Sequence, residues 1–257
     1  AEAGAALRRP AYVAAAERAA ALLLEQAVDD QGRLRRTWKD GRAGPIGILE
    51  DHAALADGLL ALYEATFDER WFAAARRLLD RVLDHFTDPA GGWFDTADDG
   101  ERLIIRPKSI QDGAVPSGNA LAATALLRLA AFTGEGRYRE AGEDALGLVI
   151  GAVDLYPTAF AQWLTAIDLA ARPIDEVAIV GAPEDPGTAA LLDVVRDGFR
   201  PRVVVAWATP EAAARSAVAL LHERPQRDGR ATAYVCRGFA CQAPVTAPAD
   251  LAGQLGG

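Results

Sequence analysis

Methionine is missing from all 257 residues, and cysteine occurs only twice, as Cys236 and Cys241. Two cysteines are far too few for a disulfide scaffold. There is no run of about 18 uninterrupted apolar residues, so no segment is expected to span a bilayer. The opening AEAGAALRRP has no basic stretch followed by an apolar one, and does not read as a secretory signal. Basic residues are also short, with 27 Lys and Arg against 36 Asp and Glu and a net charge of −9. A phosphate backbone or an anionic membrane calls for a basic face, so neither nucleic acid nor membrane is expected as a partner. These absences point to a cytoplasmic protein. The lack of methionine even at position 1 is what a processed chain or a fragment shows.

Apolar residues are plentiful at 51 %, enough for a sizeable core in one large domain or two smaller ones. The chain also repeats itself. Residues 52–75 (HAALADGLLALYEATFDERWFAAA) align without a gap on 119–142 (NALAATALLRLAAFTGEGRYREAG), an offset of 67. Ala53/Ala120, Ala56/Ala123, Leu59/Leu126, Leu60/Leu127, Leu62/Leu129 and Thr66/Thr133 are identical, and Trp71 falls on Tyr138. At an offset of 59, residues 12–20 fall on 71–79, with Asp29 on Asp88 and Gly32 on Gly91.

Each unit reads as two helices joined by a short turn. The first of each pair (53–66, 118–132) is apolar nearly all round and needs burial on several sides. The second is amphipathic: Trp71, Ala75, Leu78, Leu79, Val82, Leu83 and Phe86 keep helical spacing, while Arg76, Arg77, Asp80, Arg81 and Asp84 fill the other face. Buried inner helices with amphipathic outer ones are the pattern of an α/α toroid or solenoid. The expected elements are outer 10–27, inner 50–66, outer 70–86, inner 117–133, outer 137–151 and inner 156–171. That set starts in mid-pair, as part of a ring would. The predicted organisation is mainly α, with a partial toroid over 1–172 followed by a small α/β unit over 173–257. In that unit DEVAIVG (175–181), RVVVAW (202–207) and ATAYVC (231–236) read as strands. Helices are expected at 187–198 and 210–221, giving a largely parallel sheet. GAPEDPG (181–187) lacks the G-x-G-x-x-G spacing of a dinucleotide site, and no cofactor is expected.

In a toroid the inner helices run the same way, so the loops leading into them gather at one mouth. Those loops are 44–53, 106–120 and 153–160. Function concentrates on long loops, and RPKSIQDGAVPSGN (106–119) is dense in polar groups. Arg106, Lys108, Ser117 and Asn119 are the binding candidates there, joined by His52, Trp38 and Asp95 from neighbouring segments and by Trp93 to stack on a sugar ring. Asp112, Glu50 and Asp51 are the candidate proton-transfer carboxylates. Helix N-termini also suit an anionic substituent. A structural reading stands beside each of these. Ser117 and Asp51 suit helix capping and Glu50 the helix dipole. Arg106 suits pairing with an acid such as Asp112, Trp93 a core plug, and His52 a core histidine. Three scattered histidines and two distant cysteines do not make a zinc site.

Cys236 and Cys241 are five apart and would face opposite sides of an ideal strand, so a bend at Gly238 is needed to bring them together. They read as buried apolar side chains, a redox pair or a metal site. Taken with LEDHAALADGLLALYEAT, GGWFDTADD and RPKSIQDGAVPSGNALAA, the stretch AYVCRGFACQAPVT completes a pattern over roughly residues 10 to 250. It resembles the thioredoxin-domain-containing family typified by spermatogenesis-associated protein 20 and the bacterial YyaL-type proteins. That resemblance implies an N-terminal thioredoxin-like domain followed by an (α/α)6 toroid, similar to N-acylglucosamine 2-epimerases and six-hairpin glycosidases. This chain would supply the last part of that toroid and the C-terminal region. LEDHA departs from the LEDYA expected of the family, which weakens a catalytic role for His52. The implied function is binding or processing of a carbohydrate at the mouth, by an epimerase-, isomerase- or glycosidase-like site. The alternative is a scaffold that docks the absent N-terminal half or a thioredoxin-like domain.

Overall fold

Segments that are apolar all round must be covered on several sides, and here they are covered by their amphipathic neighbours. A computed structural model describes residues 1–256. In chain order it contains α1 (Glu2–Ala6), α2 (Pro10–Gln26), a short hairpin of β1 (Trp38–Lys39) and β2 (Arg42–Ala43), α3 (Leu49–Thr66) and α4 (Glu69–His85). Then follow α5 (Gly118–Thr133), α6 (Gly136–Leu146), α7 (Ile150–Val153) and α8 (Ala161–Ala171). The last part holds β3 (Asp175–Val180), α9 (Pro186–Arg196), β4 (Val203–Ala208), α10 (Pro210–Ala213), β5 (Thr232–Arg237), β6 (Ala240–Cys241) and α11 (Pro248–Leu255). Mainly helical structure with a small mixed sheet is thus the observed class. No helix among the described residues is long and apolar enough to cross a membrane.

α5 packs between α3 and α8, while α4 lies on α3 and α6 on α5. Burial follows the sequence pattern. α5 buries residues on every side, from Asn119 and Ala120 to Phe132 and Thr133. α4 buries Trp71, Ala75, Leu78, Leu79 and Val82 on one face, with Phe72 added, and keeps its charged residues outward. The repeat extends to individual hydrogen bonds. Thr66 Oγ1 donates to the Leu62 carbonyl and Thr133 Oγ1 to that of Leu129, at 2.8 and 3.0 Å. The same hydroxyls accept from the N–H of Asp68 and of Glu135. Phe67 and Gly134 both end their helices in the left-handed region (φ 57° and 70°), the usual way to close a C-terminus. Trp71 and Tyr138 are both buried beneath a guanidinium, of Arg70 at 4.0 Å and of Arg137 at 4.3 Å.

Three expectations need correction. The outer helix expected over 137–151 breaks after α6, where Gly147 opens a turn and Leu148 settles against the glycines of 91–92. The helix expected over 210–221 is a single α-turn, α10, and a 3-10 turn at Ala219–Leu221. The sheet, ordered β4-β3-β5-β6, is parallel only between β3 and β4; β5 is antiparallel to β3 and β6 to β5. Thr232 opens β5 opposite Val180, the residue that also pairs with Ala208 at the end of β4. The chain therefore re-enters the sheet at the end it left, and no crossover helix is required. Both faces of the sheet are buried. Ala178, Val180, Val204, Ala206 and Tyr234 share one core with the helices, and Val177, Ile179, Val205, Ala233 and Val235 alternate with them to pack under α9 and α11.

One ion cluster ties the layers together. Arg128, on the apolar α5, donates to Asp57 and Glu64 of α3, both at 2.5 Å. The other Glu64 oxygen accepts the Val205 N–H of β4 at 3.0 Å. Removing the guanidinium leaves two carboxylates facing each other in a largely buried site. Arg128→Ala is expected to cost about 3–5 kcal/mol, read from urea unfolding midpoints. A loss below about 1 kcal/mol would show the cluster to be dispensable.

Candidate functional site

The N-terminal ends of α3, α5 and α8 lie close together. Gly118 begins α5 so close to α3 that a Cβ there would lie 2.8 Å from the Glu50 nitrogen. Asp112 joins α5 to α8: its Oδ1 accepts the Ser117 N–H and its Oδ2 the Gln162 N–H, each at 2.8 Å. The indole N–H of Trp163 in α8 donates to the Ile110 carbonyl at 2.7 Å. The loop 106–119 therefore lies across three helix ends, as the spacing predicted.

Most of its polar groups are occupied within the chain. Ser117 Oγ accepts the Ala120 N–H, an N-cap. Asn119 is fully buried. Its Oδ1 accepts the Trp93 N–H, and its Nδ2 donates to the carbonyls of Trp93 and Ser109. Both Asp95 oxygens accept from Ser109, from its N–H and its hydroxyl. Asp51 Oδ2 accepts the Ile48 N–H at 2.8 Å and lies 3.5 Å from Arg36. Arg106 does not pair with Asp112. It donates to the carbonyls of Thr96 and His85 and stacks 4.2 Å over Phe94.

Trp93, expected to stack on a sugar, is 2 % exposed and belongs to the core. The second repeat accounts for it. Asp29 accepts the Gln31 N–H and Asp88 that of Ala90; Gly32 and Gly91 donate back to the carbonyls of Asp29 and Asp88 at 2.8 and 2.9 Å. Isolated bridges then join Val28 to Leu34 and Thr87 to Trp93. Trp93 thus holds the place of buried Leu34, as the plug of a repeated aspartate turn. Arg33 and Arg35 neutralise Asp29, while Lys108 does so for Asp88 at 2.7 Å. The hydrogen bond from Lys108 holds the Asp88 carboxyl below its ordinary value.

Glu50 is the exception. It is half-buried beside Gly118 and makes no side-chain hydrogen bond or ion pair among the described residues. Trp38 stands half-buried in the β1–β2 hairpin and makes no hydrogen bond to the loop. His52 is fully buried, with its ring 5.0 Å from that of Phe86. Its Nδ1 donates to the Ile48 carbonyl at 2.9 Å, so Nε2 is the unprotonated nitrogen, buried without a partner. Among the described residues, one group has metal-ligand potential: His85, Asp98 and Asp99, with ligand atoms within 4.8 Å. There His85 Nδ1 lies 2.8 Å from Asp98, and Arg81 already grips both oxygens of Asp99.

The cysteines form a second candidate. β5 and β6 set Cys236 opposite Cys241 across a two-residue turn, with Gly238 and Phe239 both at positive φ (57° and 63°), as such a hairpin demands. The bend at Gly238 is the one the spacing called for. The two sulfurs are joined in a disulfide, Cys236 buried and Cys241 exposed, so the pair is not two buried apolar residues.

No family model matches the chain. It is 32 % identical over 261 residues to spermatogenesis-associated protein 20 of Mus musculus, covering 96 % of this chain and 33 % of that protein. The Homo sapiens protein is 32 % identical over 232 residues, covering 86 % of this chain and 30 % of its own length. An uncharacterized protein of Caenorhabditis elegans is 24 % identical, with 87 % and 32 % covered. The chain is homologous to these proteins along most of its length and spans about a third of theirs.

Two outcomes are expected. Asn119→Ala leaves the buried partners of three hydrogen bonds unmet and destabilises by about 3 kcal/mol, measured by chemical unfolding; full stability would remove it from the brace. His52 resists protonation, chiefly because it is buried, so its value lies below the ordinary 6.5. The unfolded chain takes up that proton near 6.5 and the folded chain does not, so stability falls as pH drops below this value. Between pH 7.5 and 5.5, His52→Gln should lose less stability than the parent. Equal losses would contradict the assignment.

Proposed function

Proceeding from homology to a third of spermatogenesis-associated protein 20, we propose that this chain is a helical-hairpin scaffold, part of an α/α toroid, on which a protein partner docks. One observation carries the reading. The polar groups of the loop face are turned inward as braces, while its large apolar side chains are exposed: Leu103, Ile104, Ile105 and Val115 on the loop before α5, and Leu155 and Tyr156 on the loop before α8. Asp112 N–H to the Ala159 carbonyl at 2.9 Å lays these two loops side by side. Apolar side chains gathered on neighbouring loops are the mark of an interaction surface. The partner in this proposal is the thioredoxin-like domain that the sequence resemblance implies.

A second reading keeps the carbohydrate at the mouth, in the manner of an epimerase-, isomerase- or glycosidase-like toroid. It is favoured by Glu50, a half-buried carboxylate without a protein partner at the junction of two helix ends. The reading lacks the second free carboxylate that acid–base work on a glycosidic bond employs, because Asp51, Asp95 and Asp112 all accept hydrogen bonds within the chain.

One pair of experiments separates the two. Ile104→Ser with Tyr156→Ser should abolish capture of the thioredoxin-like domain of a full-length homologue while leaving the melting temperature unchanged. Thermal shift against sugars, sugar phosphates and amino sugars should give nothing. A ligand at about 100 times its Kd stabilises by roughly 2.7 kcal/mol, so a saccharide shift that disappears in Glu50→Gln would displace the scaffold reading in favour of the sugar site.

A further inference from the structure

We propose that Cys236 and Cys241 form a reversible thiol–disulfide exchange site, entered at Cys241, in which Arg224 holds the thiolate that leaves. Three observations converge on it. The first is asymmetry. Cys236 is 1 % exposed within the sheet, and Cys241 is exposed on the two-residue edge strand β6. An incoming nucleophile can therefore reach only one of the two sulfurs.

The second observation is a cation aimed at the sulfurs. Arg224 Nη2 lies 3.2 Å from Cys241 Sγ and 3.5 Å from Cys236 Sγ. Its Nη1 donates to the His222 carbonyl, and its Nε is buried without a partner. Among the described residues Arg224 forms no salt bridge. The acid whose charge acts most on it is Glu176, whose carboxylate is engaged by the N–H groups of Gly238 and Phe239 at 3.1 and 2.7 Å. A neutral disulfide cannot use the charge of a guanidinium, whereas a thiolate can. Guanidinium groups beside cysteine sulfur lower thiol pKa values and mark reactive sites rather than inert ones.

The third observation is access. The turn between the two cysteines, through Gly238 and Phe239, walls a cleft of about 380 Å³ shared with Leu127, Leu169 and Arg139. A thiol-bearing molecule thus has a surface to rest on beside the hairpin turn, although neither cysteine lines it.

The chemistry balances as an ordinary exchange. A thiolate RS⁻ attacks Cys241 Sγ. The R–S–S–Cys241 bond forms, the Cys236–Cys241 bond breaks, and its electron pair leaves on Cys236 Sγ beside Arg224. A second RS⁻ attacks the R sulfur of the mixed disulfide and releases Cys241 as a thiolate. Two thiols are oxidised to RSSR, the protein disulfide is reduced by two electrons, and the two protons lost by the thiols end on Cys236 and Cys241. The reverse sequence, with a disulfide as oxidant, restores the bond.

The native, unmodified chain is incubated with glutathione in one arm and with a thioredoxin-type dithiol protein in the other, and released thiols are counted by alkylation and mass spectrometry. Release of two thiols per chain without loss of the folded signal is expected. Reduction by glutathione identifies the partner as a small thiol, and reduction only by the protein dithiol identifies it as a protein cysteine. Arg224→Gln should slow native reduction about tenfold, and Arg224→Lys, which keeps the charge, should recover most of the rate. Both variants should match the parent when denatured. In single-cysteine chains, glutathione disulfide should modify Cys241 in Cys236→Ser and leave Cys236 in Cys241→Ser untouched. Thiols that appear only in denaturant, or an Arg224→Gln rate equal to that of the parent, would overturn the proposal.

Discussion

A guanidinium on an otherwise apolar helix fixes how the layers of this protein meet. Arg128 sits on α5, which is covered on all sides, and a lone cation there would be prohibitively costly. It is tolerated because α3 presents Asp57 and Glu64 to it, and because Glu64 reaches on to the backbone of β4. Burial raises the Glu64 carboxyl above its ordinary range even though Arg128 and the Val205 N–H oppose the shift. The two carboxylates in turn hold the Arg128 proton more tightly than usual. Apolar packing alone would let α3 and α5 slide along each other. The cluster has one register in which three charges and a backbone N–H are all met, and that register also places the sheet.

The repeats show how the same problem is solved twice with different residues. A threonine in the last turn of each inner helix donates back to a leucine carbonyl and accepts the N–H two residues on. The residue between must then turn left-handed. Gly134 does so freely, while Phe67 does so at a cost and gains contact with Tyr63 and Trp207. One step further along the inner row, Asp57 reaches Arg128 of the next helix, and its counterpart Thr124 accepts from Gln162 of the one after. An ion pair and a neutral hydrogen bond occupy the same place in the repeat. Identity between units is therefore low even where the geometry is shared.

Helix positions were legible because period and burial coincide. The apolar stripe of 71–86 and the all-round apolarity of 118–132 admit one reading, and α4 and α5 match it within a residue or two. Strands 175–180, 203–208 and 232–237 were legible for the same reason, being short, β-branched and bounded by turns. Their pairing was not, because strand direction depends on which end of the sheet the chain returns to, and 209–231 carries no periodic signal for that. Arg128 was invisible as a tie, since its partners lie 64 and 71 residues away. The convergence of the 106–119 loop on helix ends could be read from loop lengths alone. What each side chain does there could not, because a capping aspartate and a catalytic one are the same residue until its oxygens are counted.

That count bears on how a polar loop should be interpreted. A long non-helical segment laid over helix N-termini carries many backbone N–H and C=O groups that have no regular partner, and buried ones must find a partner somewhere. Asn119, Asp112, Arg106 and Lys108 each meet two or more such groups or a facing charge, and Asp95 meets a backbone N–H and a hydroxyl. Density of polar side chains in such a loop is therefore the expected consequence of folding it. The informative residues are the ones left over. At the helix starts Glu50 and the unprotonated nitrogen of His52 are among those left over, and the latter is sealed from solvent. At the sheet edge there is Arg224, a cation aimed at two sulfurs that are neutral while joined. Exposed apolar side chains on the loops point to a partner at the first place, and an unmatched charge points to chemistry at the second. The two places are built on different elements: the first on the starts of α3, α5 and α8, and the cysteine hairpin on β3 through Glu176.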